Sequence, residues 1–411
     1  MDMFHHLYVG IDIGSHYHQV AICDGEGKLV DEFTITHDAS GFEHFFSRLA
    51  SLQENTGLSV LVAMEGLNGH ARPLDSLIHQ SGYPLYNVNN LKLNRFKEIF
   101  PAPAKTDRID ARYIAQLLRL SPVLNHKKEA LQLVTSVPSE NKQLKRLTRR
   151  RRQLVREKVM ILNRMYDDLQ ATAPGLSNIT TTRDARWFLC FLTSCSQLTQ
   201  LATMEEKSLL AIPGVGKVYA RKIQSWQKQA SFSADQELVS PMIIADAQRI
   251  LALKEAIARL HQAISSLVSQ SSLASLIQTI PGFGLISSAE LAGEIGDISR
   301  FPSERSLALY LGMAPLDNSS GCQQGGRSAR QVNKRAKLAM LTGAAHNAQM
   351  CPQSKAYYLK KRGEGKRHNQ AVRALGRHLV RVIWSMANQE RAYEIYQIKE
   401  DNKDGYLIPT P

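Results

Sequence analysis

The chain has 411 residues, with 51 Lys+Arg against 37 Asp+Glu, a formal net charge of +14 and a hydrophobic fraction of 43%. That length suggests two or three domains, and the apolar content supports folded cores rather than global disorder. No apolar run reaches the ~18 residues of a membrane span, no secretory leader is legible in MDMFHHLYVGIDIG, and the five cysteines form neither a disulfide framework nor a C-x-x-C zinc pair.

The N-terminal third reads as strands and helices in alternation. Residues 7–13, 17–23 and 28–35 form three apolar-rich strands, the third following the turn Asp24-Gly25-Glu26-Gly27. Residues 41–52 fit an amphipathic helix with Phe42, Phe45, Phe46 and Leu49 on one face. A strand at 59–64, a helix near 70–81, a strand at 84–88 and helices flanking Pro101 and Pro103 complete a β-β-β-α-β-α-β-α order. That order is the α/β arrangement of a ribonuclease-H-like domain and predicts such a domain over residues 1–122.

Beyond Pro122 the pattern becomes helical. Residues 139–170 carry an apolar stripe of Leu144, Leu147, Leu154, Ile161 and Met165. Ile250, Ile257 and Ile264 recur every seven residues, each followed three later by Leu253, Leu260 or Leu267, which is the a/d seam of a coiled coil, within the chain or between subunits. Ile212-Pro213-Gly214-Val215-Gly216 recurs as Ile280-Pro281-Gly282-Phe283-Gly284, so each copy reads as a helix-hairpin-helix element. Such glycines let a phosphate approach the backbone, although Pro-Gly also marks a plain turn. The predicted organisation is a helical region with the first hairpin at 123–272, a mainly α domain with the second at 273–395, and a polar tail at 396–411.

Basic charge is concentrated. Lys127–Arg164 holds 12 Lys/Arg against 3 acids, and Arg327–Arg381 holds 14 against the single Glu364, leaving the rest of the chain net acidic. Localised positive charge of this kind points to a nucleic-acid backbone. Arg149, Arg150, Arg151 and Arg152 are consecutive, and such a run wraps a helix and repels itself unless a polyanion lies against it.

Four carboxylates stand out: Asp12 in the first strand, Glu65 after the fourth, and Asp107 and Asp110 on one face of a helix start. Singly each reads as an exposed or capping acid, and Asp107 as an N-cap beside Thr106. Together, in a ribonuclease-H-like order, they are expected to converge and to require Mg²⁺ or Mn²⁺ to offset their repulsion. Two such ions about 4 Å apart suit phosphoryl transfer. His5, His6, His16 and His18 lack ligand spacing and read as surface or core-edge residues. Tyr310 reads as packed, and Cys322 as incidental.

At these residues the chain resembles DEDD-type insertion-sequence transposases, the insertion-sequence family numbered one hundred and ten, with the Piv invertase among its relatives. The resemblance covers most of the chain and rests on G-I-D at Asp12, E-G at Glu65, K-T-D-x-x-D-A-R at Asp107 and Asp110, then I-P-G-F-G, F-P-S-E-R-S-L-A-L-Y-L-G-M-A-P, N-S-S-G and a basic segment. It implies a RuvC-like domain whose Mg²⁺-binding tetrad is Asp12, Glu65, Asp107 and Asp110, followed by a transposase domain with a nucleophilic serine at Ser320. It also implies DNA ends and target as partners, a homo-oligomeric synapse, and in some members a noncoding bridge RNA. The chain is longer than compact members and carries the additional P-G-V-G copy.

From composition alone the loop NSSGCQQGGRS is a surface turn, with Ser319 competing with Ser320. Read with the resemblance, Arg327, Arg330, Lys334 and Arg335 would hold phosphate oxygens beside the serine, and metal-bound carboxylates, from this or another subunit, would activate it. Arg149 to Arg152, Gly282 and Gly284 are the further nucleic-acid contacts expected. The leading expectation is a bacterial cytoplasmic, nucleoid-associated DNA recombinase. The alternatives are a structure-selective RuvC-like nuclease without a covalent step, a nonenzymatic DNA-binding protein, and an actin-like ATPase. The last lacks the second phosphate loop and the adenosine motif.

Overall fold

The computed structural model describes residues 5–65, 69–100, 106–123, 130–317, 326–328 and 332–394. The chain divides into two compact units, residues 1–136 and 137–411.

The first unit is built on one mixed sheet. Strands β1 (His6–Ile13), β2 (Tyr17–Cys23), β3 (Leu29–Thr36), β4 (Ser59–Met64), β5 (Leu85–Val88) and β6 (Leu131–Leu133) lie in the order β3-β2-β1-β4-β5-β6. The β1-β2-β3 meander is antiparallel, β4 and β5 run parallel to β1, and β6 closes the edge antiparallel to β5. β6 has only three residues and no periodicity of its own. Its pairing of Leu131 with Val88 carries the unit past Pro122, where the sequence suggested a boundary.

Because side chains alternate across a strand, the sheet has two apolar faces. Leu7, Val9 and Ile11 of β1 and Val60, Val62 and Met64 of β4 pack with helices α1 (Ala39–Thr56) and α2 (Arg72–Gln80). Tyr8, Leu61 and Ala63 point the other way, against α3 (Asn90–Lys97) and α4 (Asp107–Leu120). Asp38 caps α1 by accepting from the Gly41 amide at 2.8 Å, and Gly57 ends it in the left-handed region, φ 68°.

The second unit is helical. Helices α5 (Ser139–Thr172) and α10 (Gln236–Val268) run antiparallel, as the descending order of their contacts shows: Arg151 with His261, Glu157 with Arg249, Arg164 with Asp246. The heptad seam therefore closes within the chain. Ile250, Leu253 and Ile264 are buried in it, and Ile257, Leu260 and Leu267 partly so.

Each end of this helical pair has its own core. One surrounds Trp187, Phe188 and Phe191 and gathers α6 (Arg186–Leu192), α7 (Leu198–Ala202), α8 (Glu206–Ala211) and α9 (Lys217–Gln227). The other gathers α11 (Ser272–Gln278), α12 (Leu285–Ile295), α13 (Glu304–Tyr310), α14 (Lys334–Met350), α15 (Pro352–Gly363) and α16 (His368–Gln389) around Phe283 and Met340. A two-stranded ribbon, β7 (Pro315–Asp317) with β8 (Gly326–Ser328), lies between α13 and α14. No helix among the described residues is long and apolar enough to cross a membrane.

Candidate active site

Strand register brings Asp12 and Glu65 to the same end of the sheet. Ile11 pairs with Met64 in the parallel β1–β4 ladder, so Asp12 and Glu65 occupy corresponding places at the C-terminal ends of neighbouring strands. Alternation puts both on the α4 face, Asp12 following Tyr8 and Gly10, and Glu65 following Leu61 and Ala63. Helix α4 crosses this face in direct contact with the strand. A Cβ on Gly10 would lie 2.2 Å from the Ala111 carbonyl oxygen and 2.4 Å from the Ala115 nitrogen. The acid-bearing first turn of α4 is thereby brought to the end of β1.

Two contacts set the pitch of α4. The Thr106 hydroxyl accepts from the Ile109 amide at 3.4 Å, so Thr106 is the cap and Asp107 is left free of that duty. Arg112 grips both oxygens of Glu32 on β3, at 2.6 and 2.8 Å, tying the helix across the meander. The K-T-D-x-x-D-A-R segment thus combines a cap, two acids at a helix start, where the helix dipole favours negative charge, and a structural arginine.

The Asp12 carboxyl is influenced by burial and by the other three acids. Burial, then the charges of Asp110, Asp107 and Glu65 in that order, push the Asp12 carboxyl up to about 6, while Lys97 acts in the opposite sense. Lys97 Nζ pairs with Asp110 Oδ1 at 2.8 Å, and the Asn90 amide donates to Glu65 Oε1. Sequence reasoning missed both. Lys97 and Asn90 lie on α3, and nothing in their local pattern marks them as neighbours of acids met in other elements. Among the described residues, no group of three His, Cys, Asp or Glu side chains stands close enough to hold a single ion. The four acids offer only hard carboxylate oxygens, a chemistry that would suit Mg²⁺ or Mn²⁺ rather than softer metals, and Lys97 pairs with one of them, Asp110.

Of the histidines, His18 is buried, its Nε2 is 2.8 Å from His37 Nδ1, and burial followed by the charges of His37 and His70 lowers it to about 4. It pairs with Ile13 across the β1–β2 ladder, on the face opposite the acids.

In the second unit, Ser319, Ser320 and Arg330 lie outside the described residues, and Arg327 is described only as part of β8. The flanks of the ribbon are firmly held. Asn333 Nδ2 donates to Glu294 Oε2 at 2.8 Å and to the Tyr310 hydroxyl at 2.7 Å, and the Tyr310 hydroxyl donates to the Glu294 carbonyl at 2.7 Å. Asn333 also caps α14 by accepting from the amides of Arg335 and Ala336. Tyr310 is therefore a packing and anchoring residue, as its apolar surroundings suggested. Lys334 and Arg335 are at the start of α14, after this anchor.

The arginine run requires a correction. Three of the four have partners inside the protein rather than waiting on a polyanion. Arg149 is bidentate on the buried Glu294 at 2.7 and 2.8 Å, Arg152 grips Glu290, and Arg151 Nε lies 2.7 Å from His261 Nε2. Arg150 alone of the four is exposed, its contact being Gln153 at 3.5 Å. The neutralising acids come from α12, some 140 residues away, so no local pattern announced them.

The glycines of the second hairpin are split in the same way. A Cβ on Gly282 would meet the Asn347 nitrogen at 2.3 Å, so this glycine admits α14 to the hairpin, whereas Gly284 has open space around it.

Comparison with known proteins fits this layout. The IS110 DEDD transposase family, described as Transposase, matches residues 9–174, and the family described as Transposase IS116/IS110/IS902 matches residues 274–359. The chain is similar to the uncharacterized 44.8 kDa protein of insertion element IS116 from Streptomyces clavuligerus, 27% identical over 94% of this chain and 96% of the relative. It is similar to the 43.6 kDa protein of insertion element IS110 from Streptomyces coelicolor, 26% identical over 94% and 95%. The transposase for insertion sequence element IS1111A from Coxiella burnetii is 24% identical over 34% of this chain and 39% of its own. The chain belongs to the IS110 family of insertion-sequence transposases.

Proposed function

We propose that this chain is a divalent-metal-dependent DNA recombinase that cuts and rejoins the strands of an insertion sequence through a serine nucleophile. The observation that carries the reading is the placement of Asp12 beside Glu65 under the acidic first turn of α4. The strand order with an antiparallel meander leading into parallel β4 and β5 supports a ribonuclease-H-like, RuvC-like domain. The two Pro-Gly-x-Gly turns between short helices support the helix-hairpin-helix reading.

In this proposal Asp12, Glu65, Asp107 and Asp110 hold Mg²⁺ or Mn²⁺. The bound cation supplies positive charge to a phosphodiester undergoing displacement. The Ser320 oxygen forms a bond to phosphorus, its proton is lost, and the bond from phosphorus to one deoxyribose oxygen breaks as that oxygen gains a proton. The resulting phosphoserine ester retains the bond energy, so a second strand end can displace the serine without ATP. Arg327, Arg330, Lys334 and Arg335 neutralise phosphate oxygens around the serine, and Arg150 adds charge on α5. The partners are the element's DNA ends and target, further copies of this chain, and a guide RNA, acting in the bacterial cytoplasm at the nucleoid.

The test is a supercoiled plasmid carrying the gene with its natural flanking DNA, incubated with Mg²⁺ and the protein together with the RNA that co-purifies with it. Strand exchange that disappears in Asp12→Asn and in Ser320→Ala supports the proposal. Cleavage that persists in Ser320→Ala while vanishing in Asp12→Asn identifies a nuclease without a covalent step instead.

A further inference from the structure

The two Pro-Gly-x-Gly hairpins share a backbone and differ in how their first glycine packs and in the charge of the helix that follows. Gly214 and Gly282 both have positive φ, 82° and 90°. The second hairpin is built into the interior. α14 packs against Gly282, the Asn347 amide donates to the Pro281 carbonyl at 2.7 Å, and Phe283 is buried against Gly343. Residues 280–296 contain no Lys or Arg, and their two acids, Glu290 and Glu294, are engaged by Arg152 and Arg149.

The first hairpin, between α8 and α9, rests on the protein by one side only. Gly214 packs on Trp187, with a Cβ there 3.0 Å from the Trp187 Cβ, while a Cβ on Gly216, like one on Gly284 in the second hairpin, would meet open space. Residues 212–228 contain four cations, Lys217, Arg221, Lys222 and Lys228, and no acid. Lys217, Arg221 and Lys222 are exposed, and Lys222 lies over the Tyr219 ring at 5.8 Å. The acids of α8, Glu205 and Glu206, belong to its start, which the contacts of Gln227 with the Leu201 and Met204 carbonyls place beside the far end of α9.

We propose that the α8–α9 hairpin is a docking surface for the phosphate backbone of duplex DNA, contacted by Lys217, Arg221 and Lys222. Three cations on the first two turns of a fixed helix, with no acid among them, complement a rigid polyanion. Lys217 and Arg221 are separated by about 6 Å along the axis, a reach that spans one or two phosphates of a strand. Single strands are recognised mainly by stacking on open aromatic faces. Here Trp187 and Tyr219 stack on each other, centroids 4.1 Å apart, and leave no such platform. The inference deepens the recombinase reading and rests on it for the identity of the polyanion. It assigns the backbone contact to the first hairpin, whereas the motif alone offered the second equally.

The experiment compares the full-length protein with K217Q/R221Q/K222Q for binding a labelled 30-base-pair duplex without element sequence, over a series of salt concentrations and without divalent cation. Each lost phosphate contact flattens the slope of log K against log salt by about 0.9. The triple variant is expected to be shallower by about 2 to 3, and Lys217→Gln alone by about 1. A charge-matched control, K28Q/R259Q/R305Q, removes exposed cations outside the hairpin. An unchanged slope, an equal loss in the control, or a loss seen only with single-stranded DNA or RNA overturns the proposal. Because binding is read without strand cleavage, its failure leaves the covalent mechanism standing, and failure of the covalent step leaves this surface standing.

Discussion

Gly10 in β1 lies so close beneath α4 that a methyl group on its Cα would stand 2.2 Å from the Ala111 carbonyl oxygen. This contact sets the height of the helix over the sheet and therefore the distance from Asp107 and Asp110 to Asp12, two residues further along the strand. Gly10→Ala has no flexible neighbour to displace, only backbone. It is expected to lower stability by about 3 kcal/mol and to abolish Mg²⁺-dependent strand cleavage even at temperatures where the protein remains folded. Denaturant unfolding combined with the plasmid assay measures both.

The carboxylate group should respond to divalent cations without any DNA present. Mg²⁺ at a hundred times its dissociation constant stabilises a folded site by about 2.7 kcal/mol. A rise in Tm is expected on adding Mg²⁺ or Mn²⁺, and its loss in Asp12→Asn and Asp110→Asn. A Tm insensitive to both ions in the wild-type protein argues against a metal-binding tetrad.

The Arg149–Glu294 pair should be worth more than an ordinary surface salt bridge, because Glu294 is buried and also receives Asn333. Arg149→Ala strands a buried carboxylate and is expected to cost about 3 kcal/mol. Burial raises the Glu294 carboxyl, but hydrogen bonds from Arg149 and Asn333, then the charges of Arg149 and Lys145, outweigh it and hold the group below its ordinary 4.5. The folded value is depressed, so the stabilisation is complete above about pH 4.5 and is lost as pH falls through the folded value. Unfolding measured from pH 6 down to pH 3 should show Glu294→Gln with a flatter acid limb than wild type.

His18 gives a second pH dependence with a different window. Its folded value of about 4, lowered by burial and then by His37 and His70, lies below the ordinary 6.5. The unfolded chain binds the proton first, so stability falls as pH drops below 6.5 and continues to fall until about 4. His18→Leu should remove this slope while leaving the region below pH 4 to the carboxylates. An unchanged slope between pH 6.5 and 4 would place the titrating group elsewhere.

How far these features were legible depends on whether their causes were local. The strands, α1 and the heptad seam follow from alternation and periodicity within single elements; β1 is observed at His6–Ile13 against the expected 7–13, and α1 at Ala39–Thr56 extends beyond the expected 41–52 at both ends. Asp12, Glu65, Asp107 and Asp110 were nameable because their strand and helix positions imply a shared sheet end. β6 was invisible because three residues carry no period. The partners of Arg149 and Arg152 were not legible because Glu294 and Glu290 lie in a helix far along the chain. Lys97 escaped notice although its partner Asp110 is in the next helix, because no periodicity within either helix pairs the two.

The most direct test of the mechanism is mass spectrometry of the protein recovered from a Mg²⁺-containing reaction on the gene's natural flanking DNA, after nuclease digestion. A nucleotide phosphate ester is expected on Ser320, absent from Ser320→Ala and from Asp12→Asn. An ester on Ser319, on Tyr310 or on any other residue, or strand exchange without a covalent protein–DNA species, would contradict it.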